Sequence, residues 1–417
     1  SAVTVDSGKT LTTNTQVALA AVNGTTTAGS GSTAENKGAI VSNRTNNGIG
    51  IYAKDGGSKA INDGTITMMG KEAAGMYGED ITTFENKAGK SIEVKEEKSV
   101  GMYAKATGTN TLTAQNDGKI TTNKQKSVGI YLENATTGPA VANLKASNNE
   151  IEIKGGTESI GIYAPASTVS KVGKVTMADA ATKSIAVYLS KGAQATTIAT
   201  DEIDLGKSAK NIAYFIKNKD TGFGTSTVIG KVSGYGVGVY LQGDTTPTVG
   251  RAEIDKNTPT LDFTTGDDHG DGIIGLYLNG NTEIKDYTKG ITVGDSVGTN
   301  YAIGVYAKAQ GTGGSYSITT PIKVGADGVG IYADKNSDIT YTGNMEVGNG
   351  TKSGTGIYIT KKDGTGTATG TVTLGSNTIK LKGTGGVAVI ASEGTKFDAK
   401  NATIELIGKN VTGVGVY

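Results

Sequence analysis

The side chains best suited to chemistry lie in one short acidic run. Asp267, Asp268 and Asp271 flank His269, which is the only histidine in the chain. Carboxylates and an imidazole can together engage a cationic partner or hold a divalent ion. The run matches neither the EF-hand frame nor the Gly-Gly-x-Gly-x-Asp nonapeptide, and Asp-Gly sequences are common in solvated turns. These four residues are therefore a candidate partner-binding segment, with a solvated turn as the simpler alternative.

Nucleophilic catalysis has little support in the sequence. The chain has no cysteine and no Gly-x-Ser-x-Gly elbow, and its Gly-x-Gly matches fall between repeats rather than between a strand and a helix. Acidic residues mostly alternate with lysine, as in Ile92-Glu93-Val94-Lys95, which is typical of a solvated strand face. We therefore expect no enzyme, no cofactor and no metal. A polysaccharide-degrading β-helix stays open as an alternative, because stacked coils can bring two or three carboxylates together.

A tyrosine-containing motif recurs along the chain and must position any such site. Close variants of Gly-Ile-Tyr, such as Val128-Gly129-Ile130-Tyr131, return every 25 to 37 residues. A period of this size is typical of a solenoid, in which each unit buries its apolar face only by stacking on its neighbours. The tyrosine position of the motif is occupied by Tyr52, Tyr77, Tyr103, Tyr131, Tyr163, Tyr188, Phe215, Tyr240, Tyr277, Tyr306, Tyr332, Tyr358, Ile390 and Tyr417.

The pattern inside each repeat predicts short strands. Aliphatic residues stand three positions before the tyrosine, one before it and one after it, as in Val100, Met102 and Ala104. Because successive strand side chains point to opposite faces, the aliphatic trio is predicted to face inward and the motif glycine and tyrosine to face outward. An Asn-x-Gly-x-Ile strand is predicted before the motif, and a weaker strand such as residues 111–114 before that.

These elements predict an all-β fold, a right-handed parallel β-helix (solenoid). It would have about fifteen coils with three short strands per coil, and residues 1–417 would form a single segment. The right-handed sense follows from the bias of parallel crossover connections. The interval between Tyr240 and Tyr277 is the longest, at 37 residues, and predicts a main loop excursion over residues 243–273 that carries the acidic run.

Stacked in register, the motif tyrosines would form one column on the outside of the solenoid. Adjacent rings can then stack with an offset and stabilise the fold by roughly 0.5–1.5 kcal/mol per pair beyond burial. The structural ladder is one interpretation, and an aromatic stripe that binds sugar rings or a partner is the other. The chain has no tryptophan, usually the strongest stacking side chain, which favours the structural interpretation.

Composition narrows the class of partner. Forty basic and thirty-nine acidic residues give a net charge of +1 without a basic stripe, so we expect no nucleic-acid partner. No apolar run approaches the roughly 20 residues that a membrane-spanning helix needs, so none is expected in this chain. The sequence stops at Tyr417, inside a motif copy, which favours an excised piece of a longer protein.

The repeated strings Ser-Val-Gly-Met-Tyr-Ala-Lys (residues 99–105) and Ser-Val-Gly-Ile-Tyr (residues 127–131) resemble the passenger repeats of large fusobacterial type V autotransporter adhesins. The RadD-like and the galactose-binding types are the nearest. The resemblance covers residues 36–417 and implies a β-helix displayed on the extracellular face of a Gram-negative outer membrane. It implies a host cell-surface receptor protein or glycan, or the surface of another bacterium, as partner. A pure structural stalk with the binding tip elsewhere stays open.

Overall fold

The computed structural model describes most of the chain. The described residues are 1–23, 31–107, 111–134, 142–145, 148–191, 193–195, 201–217, 222–223, 229–244, 251–264, 270–308, 314–334, 337–360, 370–392, 395–408 and 413–416. Within these ranges the secondary structure is all β, with no helix. The chain divides into a first unit, Ser1–Asn211, and a second unit, Ile212–Tyr417.

Each coil of the first unit contributes one strand to each of three parallel sheets. The motif sheet holds the Gly-Ile-Tyr strands Val17–Val22, Ile49–Lys54, Ala74–Glu79, Val100–Ala106, Val128–Asn134, Ile160–Pro165 and Ile185–Ser190. The post-motif sheet holds Ala2–Val5, Thr33–Asn36, Lys59–Asn62, Thr83–Asn86, Leu112–Asn116, Ala142–Lys145, Thr168–Val169 and Gln194–Ala195. The pre-motif sheet holds Thr10–Thr13, Ala39–Ser42, Thr65–Met68, Ser91–Val94, Lys119–Thr122, Glu150–Ile153, Lys174–Met177 and Glu202–Asp204. Two short strands, Gly156–Thr157 and Ala181–Thr182, pair at a corner.

The second unit repeats the same order of strands. Its motif strands are Ile212–Lys217, Gly236–Gln242, Ile273–Asn279, Ile303–Lys308, Val329–Asp334, Thr355–Ile359, Gly386–Ala391 and Gly413–Val416. Its post-motif strands are Gly222–Phe223, Ala252–Asp255, Thr282–Lys285, Gly314–Ile318, Ser337–Tyr341, Thr371–Leu374 and Lys396–Asp398. Its pre-motif strands are Lys231–Ser233, Leu261–Asp262, Ile291–Thr292, Ile322–Val324, Met345–Val347, Thr378–Lys382 and Thr403–Ile407.

Pairing in both units is parallel and keeps equivalent positions of neighbouring coils side by side. In the first unit Met102 pairs with Ile130, and Tyr103 pairs with Tyr131. Met102 and Ile130 are fully buried. This confirms the predicted parallel β-solenoid with three strands per coil. The right-handed sense and the continuity of residues 1–417 as a single segment stay predictions.

The predicted orientation of the motif glycine is wrong. The glycines are buried, and a Cβ added at Gly50 or at Gly129 would lie 2.8 Å from the Cγ2 atom of an isoleucine in the pre-motif strand. The aliphatic residue before the glycine, such as Val100, is only half-buried. Glycine and the following aliphatic residue therefore both face inward, so the simple alternation breaks at this point. The position accepts only glycine or a small side chain beside the pre-motif strand, and in three copies it holds a fully buried alanine, at Ala186, Ala213 and Ala388.

Two columns of buried polar side chains line the corners of the first unit. Asn36, Asn62, Asn86 and Asn116 are fully buried, and each side-chain amide donates to the amide oxygen of the asparagine in the next coil, from Asn62 to Asn86 at 2.7 Å, for example. A serine column precedes the motif strands, in which each hydroxyl accepts from the backbone N–H of the equivalent residue in the preceding coil at 3.1–3.3 Å. Its members are Ser99, Ser127, Ser159 and Ser184.

Two further segments adopt ordinary coil structure. Residues 1–16 include the strands Ala2–Val5 and Thr10–Thr13, which pair in register with the next coil. Within 243–273 the strands Ala252–Asp255 and Leu261–Asp262 pair with the following coil. This interval is therefore not one continuous loop, because it carries two coil strands.

Candidate functional site

The predicted tyrosine column forms in the first unit as a stacked ladder. It runs through Tyr52, Tyr77, Tyr103, Tyr131, Tyr163 and Tyr188, with ring centroids 4.7–5.4 Å apart and planes within 28° of parallel. The spacing follows from the in-register pairing of the motif strands, because equivalent positions in neighbouring parallel strands lie about 4.8 Å apart.

The second unit builds the same ladder on its motif strands. Its members are Phe215, Tyr240, Tyr277, Tyr306, Tyr332 and Tyr358, with centroids 4.6–5.4 Å apart. In this column Ile390 pairs beside Tyr358, while Tyr417 lies outside the described residues.

The ladder rings are half-buried, and their faces are used by one another. Hydroxyl groups at the outer edge are also engaged: the hydroxyl of Tyr77 donates to Glu79 at 2.9 Å, and that of Tyr240 accepts from the Asn279 amide at 2.6 Å. Burial raises the pKa of ladder phenols such as that of Tyr163. Stacking of a sugar ring on the tyrosine column would need a free aromatic face, and neighbouring rings cover the faces inside the column. The geometry therefore favours the structural ladder over a sugar-binding stripe.

The acidic run is only partly described. Asp267, Asp268 and His269 lie outside the described residues, so their role stays a prediction. Asp271 is half-buried in a turn between Gly270 and Gly272, both of which have positive φ (79° and 65°). Its Oδ1 atom accepts a hydrogen bond from the backbone N–H of Asp295 in the next coil at 2.7 Å. Asp271 therefore ties two corners together.

Asp295 repeats this contact one coil further on. Its Oδ1 atom accepts from the backbone N–H of Ala326 at 2.6 Å, and its Oδ2 atom accepts from the Asn349 amide at 3.1 Å. Over the part of the chain that the structure describes, no three His, Cys, Asp or Glu side chains come together as a metal-binding group. The two described aspartates at this corner thus serve in backbone hydrogen bonding.

Sequence reasoning did not find a groove that opens on the first unit, at the corner between the pre-motif and motif strands. Its volume is about 620 Å³. Side chains from successive coils line it, among them Lys71, Glu97, Gln125 and Lys154. The lining is polar and charged, so the groove suits a hydrated, hydrogen-bonding ligand rather than an apolar one. We call it the corner groove.

The asparagine and serine columns were also missed as ladders. The sequence signal was present, since Asn recurs two residues before Gly in Asn36-Lys37-Gly38, Asn62-Asp63-Gly64 and Asn116-Asp117-Gly118. An asparagine before a glycine is equally typical of an ordinary turn. Only the in-register stacking of coils distinguishes a buried ladder from a series of solvated corners.

The outer surface of the first unit carries ion pairs between neighbouring coils, at corners and on strand faces. Asp63 contacts both Lys87 and Lys90 at 3.1 Å, and these hydrogen bonds lower the pKa of its carboxyl. On the adjacent pre-motif face Lys119 lies 2.9 Å from Glu152. This agrees with the solvated faces predicted from the alternation of acidic residues and lysine. Carboxylates held ionised in this way are poorly suited to act as general acids.

Comparison with known protein families finds similarity over part of the first unit. A family model described as the BigA third pectate lyase-like domain matches residues 2–169. BigA is an autotransporter-type adhesin, so the match supports a surface-exposed, passenger- or adhesin-like domain in this chain. No curated protein and no solved structure matches the chain. Among the described residues no helix has the length and hydropathy required to cross a membrane.

Proposed function

We propose that this chain is a non-enzymatic segment of a cell-surface adhesin. In this proposal the β-solenoid is part of an autotransporter passenger, shown on the extracellular face of a Gram-negative outer membrane. Its outer surface and corner segments bind a host-cell receptor protein or glycan, or the surface of another bacterium. On the basis of the Ser-Val-Gly-Ile-Tyr repeats, the more specific proposal is a passenger of the RadD-like or galactose-binding fusobacterial type.

One observation carries the proposal: a solenoid of stacked coils coincides with the adhesin-type family match over residues 2–169. In such a fold every coil exposes its corners along one side, so the architecture provides a long surface without requiring a central cleft. The buried asparagines and serines are occupied in hydrogen bonds between coils. These polar groups therefore support the stack and are not available for chemistry.

A polysaccharide-degrading enzyme is the second candidate, because the matching family is described as pectate lyase-like. Such an enzyme needs a carboxylate that can take up a proton. Burial would raise the pKa of the Glu93 carboxyl, yet hydrogen bonds from Lys95 and Asn123 outweigh it and lower the pKa. A turnover assay on polygalacturonate and on neutral glycans separates the two functions. Cleavage that disappears when one carboxylate cluster is neutralised would establish the enzyme.

Binding of the purified chain to cells tests the adhesin directly. Fluorescently labelled chain is incubated with host epithelial cells and with a panel of other bacteria, and an excess of unlabelled chain defines specific binding. Saturable, displaceable binding to at least one cell type is expected. If no cell type binds the chain while a longer passenger does, the segment is a stalk and the adhesive tip lies elsewhere.

A further inference from the structure

The corner groove of the first unit exists because the corner lengthens from coil to coil. Between the pre-motif strand and the buried serine column the chain uses residues 95–98 and 123–126 in two coils, but 154–158 and 178–183 in the next two. The added residues are paired as the short strands Gly156–Thr157 and Ala181–Thr182. The groove lies at this step, where a narrow corner meets a wider one.

Two glycines keep the recess open. Gly156 has a φ of +83°, and a Cβ there would clash with the backbone nitrogen of Gln125. Gly155 differs, because a Cβ there would lie 3.5 Å from the carbonyl oxygen of Asn123 and 3.8 Å from the Cβ of Ala180, which are ordinary contacts. A side chain at position 155 would therefore occupy the groove without breaking the coil.

Some charged side chains around the groove are paired with one another, and others are exposed to solvent. Glu97 accepts from the Lys71 ammonium at 2.9 Å and from the Gln125 amide at 2.8 Å, and these two hydrogen bonds, Lys71 first, lower the pKa of its carboxyl. Lys124 and Lys154 are exposed, and within the described part of the chain neither lies within salt-bridge distance of a carboxylate, while Lys154 interacts with Glu93 at longer range. Two ammonium groups in neighbouring coils are therefore available to a ligand.

We propose that the corner groove binds a carboxylated oligosaccharide. Lys124 and Lys154 pair with carboxylates of the ligand. The side-chain N–H groups of Asn123 and Gln125 already donate to Glu93 and Glu97, so their amide oxygens, together with the carboxylate of Glu96, accept hydrogen bonds from the ligand's hydroxyl groups. The groove volume of about 620 Å³ lies within the roughly 300–1,000 Å³ of small-ligand sites. This inference adds a ligand class to the proposed adhesin function. It rests on that function only for the biological purpose of the binding.

The lining argues against other classes of ligand. It combines Lys71, Lys124 and Lys154 with Glu96 and Glu97, so the net charge of the titratable lining residues is +1. A nucleic acid or a heavily sulfated chain would place dense negative charge against the two glutamates, which costs affinity. The absence of aromatic and large aliphatic side chains from the lining gives an apolar peptide or a lipid chain little to contact. A ligand with one carboxylate per sugar, flanked by hydroxyl groups, best matches this mixture of lysines, glutamates and side-chain amides.

Calorimetric titration of the whole chain tests the proposal with defined sugars. The probes are trigalacturonate, its methyl ester and sialyllactose. The free acid is expected to bind and the ester to bind much more weakly, because methyl esterification removes the charge of each carboxylate and leaves the hydroxyl groups unchanged. Binding of trigalacturonate or of sialyllactose supports recognition of a carboxylate by the groove. The sugar that binds more strongly shows whether the carboxylate belongs to a uronic acid or to a sialic acid. The proposal is overturned if neither acid binds, or if acid and ester bind equally.

Variants locate the binding. Lys124→Gln and Lys154→Gln are each expected to weaken it by about three- to fivefold, as suits exposed ion pairs, and Gly155→Leu is expected to abolish it by filling the recess. Lys59→Gln, which removes an exposed lysine on the post-motif face, is the matched control and should leave affinity unchanged. Unaltered melting temperatures show that the variants fold. Binding that survives all three groove variants would place the sugar elsewhere and refute the assignment.

The cell assay distinguishes this inference from the proposed function. If the wild-type chain adheres to cells and Gly155→Leu adheres equally well, the adhesin proposal stands and the groove is not its contact, which overturns the groove's part in adhesion. If the chain binds trigalacturonate through the groove but adheres to no cell, the sugar site stands and the adhesin proposal fails.

Discussion

The asparagine ladder should be a main source of stability in the first unit, and Asn86→Ala tests this. Asn86 is fully buried, accepts from the Asn62 amide at 2.7 Å and donates to Asn116 at 2.7 Å. Alanine removes both hydrogen bonds, each with a net contribution of about 1 kcal/mol. It also leaves the amide oxygen of Asn116 without that donor, at a further cost of about 1–3 kcal/mol for a buried group. We therefore expect a loss of roughly 3–5 kcal/mol.

Native-state hydrogen exchange measures this loss locally, which matters because stability in a solenoid is a sum over neighbouring coils. Amides in Lys59–Asn62, Thr83–Asn86 and Leu112–Asn116 should exchange roughly 140- to 3,700-fold faster, since each 1.4 kcal/mol is a factor of ten. Glu85→Ala is the control, a truncation to alanine one residue away on the outward face of the same strand. It should change exchange little.

Asn86→Asp separates the two hydrogen bonds, because a carboxylate can still accept from Asn62 but cannot donate to Asn116. Burial raises the pKa of such a carboxyl, so the folded form favours its protonated state. The variant should therefore be least destabilised below about pH 4 and lose stability as the pH rises. If Asn86→Ala exchanged like Glu85→Ala, the ladder would contribute no net stability and the reasoning would be refuted.

Three other outcomes follow from the same architecture. Ile162→Asp puts an unpaired charge between the buried Ile130 and Val187 and should lower the free energy of unfolding by several kcal/mol. Thermal melts measure this loss, and an unshifted melting temperature would contradict the inward orientation of Ile162. Because burial raises the pKa of ladder phenols such as Tyr131, the folded chain holds protons that the unfolded chain releases near pH 10. Stability should thus be complete below pH 10 and fall as the pH rises further, with the tyrosinate form of Tyr131 appearing only on unfolding; titration of Tyr131 near pH 10 in the folded chain would refute this. Hydrogen exchange should be fastest at the two end coils, whose strands Ala2–Val5 and Thr403–Ile407 pair on one side only, and uniform protection would count against it.

The positions that the sequence predicted well are those where one residue type repeats at one place in every coil. The period and the alternation predicted three such features: the tyrosine column, the inward Met102 and Ile130, and the strand before the motif. Parallel stacking then followed, because a coil cannot bury its apolar face alone. The acidic run around His269 was the weakest inference, since its turn chemistry is shared by ordinary loops and only Asp271 lies in the described residues.

What the sequence by itself determined is therefore the repeat, the three strands per coil and the ladder of rings. Tertiary structure decided the rest. The motif glycine faces the core beside an isoleucine of the pre-motif strand, and alternation along one strand carries no information about contacts with another strand. The amide ladder and the corner groove likewise depend on contacts between residues 24 to 33 positions apart in different coils. Such distances are set only when coils of unequal length are stacked in register, which places Gly155 beside Ala180 and leaves Lys124 and Lys154 at the edge of a recess.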